Sequence, residues 1–330
     1  WETLMFGRPT APTALPPSLG SEAFEHAGQV LLRTNGGPGL AAAITFGPYG
    51  GFHGHLDKLS FVWFGFGAEL GVDPGRAASQ AYRLPIHRDW YKATLSHNAV
   101  LVDRKPQEPA QGHLEWFGAS ERYAAALTRC SEAYPGVEHR RLLLLTPTYL
   151  LVFDRLDADE ARRFDGVYHH RGAEALCDQV GRDAEPDDAF PGFEYIENAR
   201  EGVTEDVVRV QFRGDPVTTY LTIAGEGNTK VLIGDGPGAS VEDRVPLVLV
   251  TRSGEQVRFA AVLEPVREDR PQVSDLRVHE RDSHVRMEIQ RGDVEDVVLL
   301  EDGRLEVTSA GVTVLREGGG GDPQGTAKQG

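Results

Sequence analysis

Residues 140–156 read RRLLLLTPTYLLVFDRL, and the reading of this stretch decides the fold class. Leu, Val, Phe and Tyr in runs of four to eight, bounded by turn residues, indicate buried strand. Arg140 and Arg141 open the run and are expected as its solvated end, because charged side chains seldom enter a core. The same texture extends outward. YAAALT (123–128) precedes it, and RRFDGVYHH (162–170), VVRVQF (207–212), VTTYLTIA (217–224), PLVLVT (246–251) and VRFAAVLE (257–264) follow. In VVLLEDGRLEV (297–307) the Asp302-Gly303 pair suits a type I′ turn and predicts a hairpin. With 38 Gly and 20 Pro dividing such runs, the chain is predicted to be all-β, a large antiparallel β-sandwich of two packed sheets. GDGPG (234–238) lacks the following Lys-Ser/Thr and the helix of a phosphate loop and reads as a turn.

The 330 residues allow a sizeable core. RPTAPTALPPS (8–18) is a proline-rich joint, and Trp1 to Leu4 before it resemble the end of something upstream. Residues 1–27 are therefore expected as linker, 28–316 as the sandwich and 317–330, EGGGGDPQGTAKQG, as a disordered tail. No apolar run is long enough to span a bilayer as a helix, so no membrane partner is expected. The net charge of −16 argues against nucleic acid. Locally the balance reverses. Between Arg76 and Lys105, six basic residues face only Asp89 and Asp103, a net +4 that could draw an acidic sugar or be neutralised by acidic surroundings. Cys130 and Cys177, the two thiols, fit neither a disulfide scaffold nor a zinc-motif spacing.

Upstream of the strand series lies GGFHGHLDKLSF (50–61). If extended, it places His53, His55 and Asp57 on one face, since side chains alternate along a strand. LAAAITFGP (40–48) and SFVWFGF (60–66) flank it as strands, and LGVDPG (70–75) reads as a turn holding Asp73. Residues 76–98 form an irregular excursion that ends in SHNAVLVD, where a strand resumes. Zinc accepts nitrogen and carboxylate ligands, and His55, Asp73 and His97 offer three, leaving one position for water. The cupin pattern fails, because Leu59 and Ser60 stand where Glu is required. The Fe(II) facial triad of an oxygenase is met by His55, Asp57 and His97. His169 and His170 point to opposite faces of a strand end, so at most one reaches a site.

TFGPYGGFHGHLDKLSF, LGVDPG and AYRLPIHRDWYKATLSHNAVLVDRKPQ, in that order, resemble the C-terminal β-sandwich domain of the heparinase II/III-like polysaccharide lyases, which include alginate and oligoalginate lyases. AYPGVEHRRLLLLTPTYLLVFDRL and RRFDGVYHH extend the resemblance over residues 28–265. It implies a zinc held by His55, Asp73 and His97, an active-site histidine at His53 and a cleft-lining tyrosine at Tyr82. Asp57 is left as a carboxylate beside the metal. Tyr91, Asn98 and Arg88 are candidates for binding substrate. The resemblance also implies an N-terminal α/α-toroid, in the same chain or a separate one, an anionic polysaccharide or oligosaccharide substrate, and a periplasmic or secreted location. A free-standing sandwich that binds acidic carbohydrate without cleaving it is the alternative, and self-association is left open.

Overall fold

The computed structural model describes residues 20–35, 39–75, 84–185, 187, 189–267, 270–281, 284–301 and 303–317. Tyr82, Asp302, the proline-rich joint and all of the tail but Glu317 lie outside them. Three antiparallel sheets are stacked. The first contains β1 (Glu22–Phe24), β2 (Gln29–Arg33), β3 (Ala41–Thr45), β4 (Phe61–Gly65) and β5 (Ala68–Gly71). The central sheet begins with β6 (Val100–Val102), β7 (His113–Ala119), β8 (Ala124–Cys130), β9 (Val137–Leu145), β10 (Leu150–His169) and β11 (Glu174–Cys177). It continues with β12 (Arg182–Asp183), β13 (Glu197–Thr204), β14 (Val208–Arg213), β15 (Thr218–Ile223), β16 (Thr229–Pro237) and β17 (Arg244–Val266). The third sheet is β18 (Val273–Arg281), β19 (His284–Arg291), β20 (Val294–Glu301), β21 (Arg304–Ser309) and β22 (Val312–Glu317).

The all-β sandwich expected from the sequence is present, and a third layer is added to it. The reason is legible in β9 and β10. Leu143, Leu145, Leu150 and Val152 pack toward the first sheet, whereas Leu142, Leu144, Leu151 and Phe153 pack toward the third. A strand covered on both faces reads as a continuous apolar run instead of an alternating one. Beyond the third sheet, the same outer face is covered by Trp90, Tyr91 and Leu95 from the irregular excursion, against Val167, Leu232, Leu247 and Leu249.

Several local expectations are corrected. RRLLLLTPTYLLVFDRL is a hairpin, closed where Thr146 N–H donates to Tyr149 O at 3.0 Å. YLLVFDRL and RRFDGVYHH merge into β10, and PLVLVT with VRFAAVLE into β17, which pair side by side with one irregularity between Asp157 and Arg162. GDGPG is strand over Gly234–Pro237, paired with β17. Its glycine has a packing cause: a Cβ on Gly236 would lie 2.5 Å from the Trp90 ring, which is pinned by its Nε1–H donating to Pro237 O at 2.9 Å. β1 lies within the stretch expected as linker and pairs with β2 of the sandwich. Arg141 is 2% exposed and not a solvated strand end. The β20–β21 hairpin forms as expected, with Glu301 opposite Arg304 and Gly303 at φ +75°. Cys130 and Cys177 are both free, and no helix among the described residues is long and apolar enough to cross a membrane.

Candidate functional site

The histidine segment is not a strand. Gly51–His53 forms one 3₁₀ turn, and the chain then loops to β4, with Gly54 N–H donating to Gly51 O and Ser60 N–H to Asp57 O, both at 2.9 Å. Glycine at 50, 51 and 54 makes the coil affordable, since Gly51 takes φ +63°. The loop is fastened to the excursion that carries His97. Leu56 N–H donates to Lys92 O, Thr94 Oγ1 donates to Leu56 O, and the Gln107 amide bridges both backbone groups of Lys58.

His53 and Phe52 are exposed at the lip, with Phe52 79% accessible. Two residues on, His55 turns inward. One ligand atom each from His55, Asp57 and His97 falls within 4.8 Å of the others. Asp73 joins them from its turn, where Gly75 N–H donates to Oδ1 at 2.8 Å and His97 Nδ1–H donates to Oδ2 at 2.6 Å. Asp57 and Asp73 both line one hollow of about 270 Å³. Burial pushes the His55 pKa down, and the neighbouring His97 adds to this. Burial also opposes charge on His97, but Asp73 outweighs it and holds the pKa above its ordinary value. Burial alone would raise the Asp73 pKa; His97 instead draws it down to about 2.

The donor set fits a divalent metal. His97 Nε2 is buried with no hydrogen-bond partner among the described residues, an arrangement costly for a polar atom unless something is bound. Of the ligand set expected from the sequence, His55 and His97 come together, but the carboxylate grouped with them is Asp57; Asp73 meets the cluster through its hydrogen bond to His97 Nδ1.

Residues 16–233 match the family described as heparinase II/III-like, C-terminal. The chain belongs to that family. Curated relatives include an alginate lyase of Stenotrophomonas maltophilia (strain K279a), 31% identical over 169 residues, a match covering 45% of this chain and 23% of that protein. An exo-oligoalginate lyase of Saccharophagus degradans is 28% identical over 141 residues, covering 36% and 19%. The chain therefore matches less than a quarter of the length of these relatives. Among solved structures, the heparan sulfate lyase HepC of Pedobacter heparinus superposes with a TM-score of 0.64 at 16% identity, covering 91% of this chain and 44% of that one. A heparinase III gives 0.60 at 12%, covering 88% and 42%. These two likenesses concern the fold.

In this heparinase II/III-like domain the other candidates divide sharply. Asn98 is fully buried: its Nδ2 donates to Phe61 O at 2.8 Å and Val72 O at 3.1 Å, and its Oδ1 accepts from His169 N–H at 2.7 Å. Tyr91 is equally buried among apolar side chains. Neither offers a surface to a sugar in this chain. Arg88 is exposed but spent on Asp89, at 2.5 and 2.7 Å. Arg104 likewise pairs with Asp187, so part of the local positive charge read from the sequence is neutralised. Lys92 is placed differently, donating to Phe52 O at 2.6 Å and lying 5.2 Å over the Phe52 ring.

His169 is the residue that sequence reasoning left unassigned. It is buried 5.9 Å from the Trp90 ring, and neither ring nitrogen has a partner among the described residues. Burial pushes its pKa down to about 3, with the charge of His97 adding to the effect. His170 points the other way and accepts the Tyr168 hydroxyl at 2.7 Å. The His-His pair at a strand end carried that signal.

Proposed function

We propose that this chain is the zinc-containing C-terminal sandwich domain of a polysaccharide lyase that cleaves uronic-acid polymers by β-elimination, with little activity apart from its α/α-toroid. The observation that carries the reading is the division within HGHLD: His53 exposed at the lip, His55 and Asp57 inward beside His97. His55, Asp73 and His97 would hold the zinc, with Asp57 beside it. When bound, zinc supplies a cross-link among three loops.

The reaction removes the C5 proton, α to the sugar carboxylate; the electron pair left at C5 forms the C4–C5 double bond as the C4–O bond breaks, and the departing oxygen keeps that bond's pair and takes a proton. Charge builds on the carboxylate as C5–H breaks, so a donor facing it lowers the barrier. His53 fits that task or the transfer of a proton; Tyr82 is proposed as the base. Lys92, one residue beyond Tyr91 and beside Phe52, adds positive charge at the same lip.

The test is release of the ultraviolet-absorbing unsaturated uronate from alginate or a glycosaminoglycan, by the chain alone and combined with a toroid domain. Product only in the combination supports the lyase. Saturable sugar binding with no product under either condition supports a binding module instead. A second reading, the iron oxygenase, is favoured by one observation, the compact His55, Asp57 and His97 trio. Stoichiometric zinc with no 2-oxoglutarate turnover removes it.

A further inference from the structure

The most heavily bonded charged side chain near the site is Arg141 of β9, which touches no candidate ligand. Its Nε donates to Asp154 Oδ1 at 2.6 Å and its Nη2 to Oδ2 at 2.9 Å, a bidentate pair across the β9–β10 hairpin. His139 Nε2–H adds a third bond to Asp154 Oδ1 at 2.7 Å. With the fork fixed in this way, Arg141 Nη1 donates to two backbone carbonyls at once, Leu59 O at 2.7 Å and Asn98 O at 2.6 Å. Leu59 lies two residues after Asp57, and Asn98 directly follows His97. Leu59 is held at φ +61°, an uncommon conformation for a residue of its size. The two loops that carry His55 and His97 are therefore fastened to a single nitrogen anchored in the central sheet.

We propose that Arg141 is a positioning residue that sets the spacing of the two histidine-bearing loops, and so the geometry offered to the metal. The burial of the Arg141–Asp154 pair is explained by this task. A buried ion pair is a weak source of stability compared with apolar side chains of the same volume, but a planar guanidinium can fork a carboxylate and still reach two carbonyls. Lysine, with one compact ammonium, cannot do both. The proposal rests on the reading that His55 and His97 hold the metal.

The experiment compares Arg141→Lys with Arg252→Lys in the full chain. Arg252 is likewise buried, at 3% exposure, donates to Ala224 O, Arg258 O and Thr229 Oγ1, pairs with Glu226, and makes no bond to either loop. It controls for the general cost of altering a buried arginine. Zinc affinity by chelator competition and the visible spectrum of the cobalt-loaded chain are read alongside amide exchange. Arg141→Lys is expected to weaken zinc about 10- to 100-fold, change the cobalt spectrum and speed exchange at residues 55–60 and 96–100. Arg252→Lys should do none of these. If Arg141→Lys does not fold, Asp154→Asn is expected to shift the same three readouts in the same direction. Equal zinc affinity, spectrum and loop exchange in Arg141→Lys and the wild type overturns the proposal. Amide exchange needs no metal, so a wild-type chain that takes up no zinc refutes the zinc site, while loop exchange still decides the role of Arg141.

Discussion

Asn98 separates a structural from a substrate-binding role most sharply, and Asn98→Ala is the perturbation that tests it. In the folded chain its side chain makes three bonds in a fully buried setting, two as donor to Phe61 O and Val72 O and one as acceptor from His169 N–H. Truncation to Ala removes all three. A net loss of about 1 kcal/mol per bond gives roughly 3 kcal/mol, and groups left unsolvated add to it, for a total of about 3–5 kcal/mol. Asn98→Asp should be worse, because a carboxylate keeps the contact with His169 N–H but sets oxygen against two carbonyl oxygens. Urea unfolding followed by tryptophan fluorescence, with chelator present to remove any contribution from metal, reads the loss directly. Small-molecule sugar binding is measured in the same samples. A loss under about 1 kcal/mol together with clearly weakened sugar binding would refute the reasoning and return Asn98 to the substrate surface.

Gly236→Ala should cost about 1–3 kcal/mol, because the new methyl would meet a Trp90 ring that is hydrogen-bonded in place; a shifted Trp emission and an earlier urea midpoint are the expected signs. His53→Ala should leave the urea midpoint within about 0.5 kcal/mol, as the residue is exposed, while abolishing product release in the toroid-joined enzyme. Acid should destabilise the fold through Asp154. Burial would raise its pKa, but Arg141 and His139 hold it at about 2 against 3.8 when unfolded. Its contribution of about 2 kcal/mol is therefore complete above pH 4 and is lost as pH falls toward 2, and Asp154→Asn should flatten that part of the stability profile.

Much of the sheet structure was legible because apolar runs between Gly and Pro have few other fates. The third layer was not, since an unbroken LLLL in β9 records two covered faces without naming what covers the second. HGHLD was misread for a related reason. Polar groups at every second position fit a strand, but Gly50, Gly51 and Gly54 let the backbone coil, and the three side chains part company: His53 outward, His55 and Asp57 toward His97. The candidate donors could be picked out because metal-ligating chemistry is specific to residue type. Asn98 and Tyr91 were expected to face substrate, yet an amide flanked by AVLVD belonged to the interior that strand was entering. Arg141 carried a usable signal. Asp154 lies opposite it across the hairpin, and two opposite charges on one face of an otherwise apolar pair are more economical buried together than apart.

Two side chains gather nearly every segment that brings a donor to the site. Asn98 binds the backbone at Phe61, Val72 and His169; Arg141 binds it at Leu59 and Asn98 itself. Val72 precedes Asp73, Asn98 follows His97, and Leu59 follows Asp57 by two. The inner cluster is therefore tied to the central sheet through Arg141 of β9 and through His169 of β10, whose N–H holds Asn98, and the loops take their spacing from there. His53 is outside this arrangement. Its own 3₁₀ turn is fastened to the neighbouring excursion chiefly by Lys92 holding Phe52 O, and its side chain is exposed. A group that meets a polymer must adjust to it, whereas ligands sharing one ion must not. Under the proposed function, rigid support goes to His55 and His97, and His53 is left to be positioned by what docks against it.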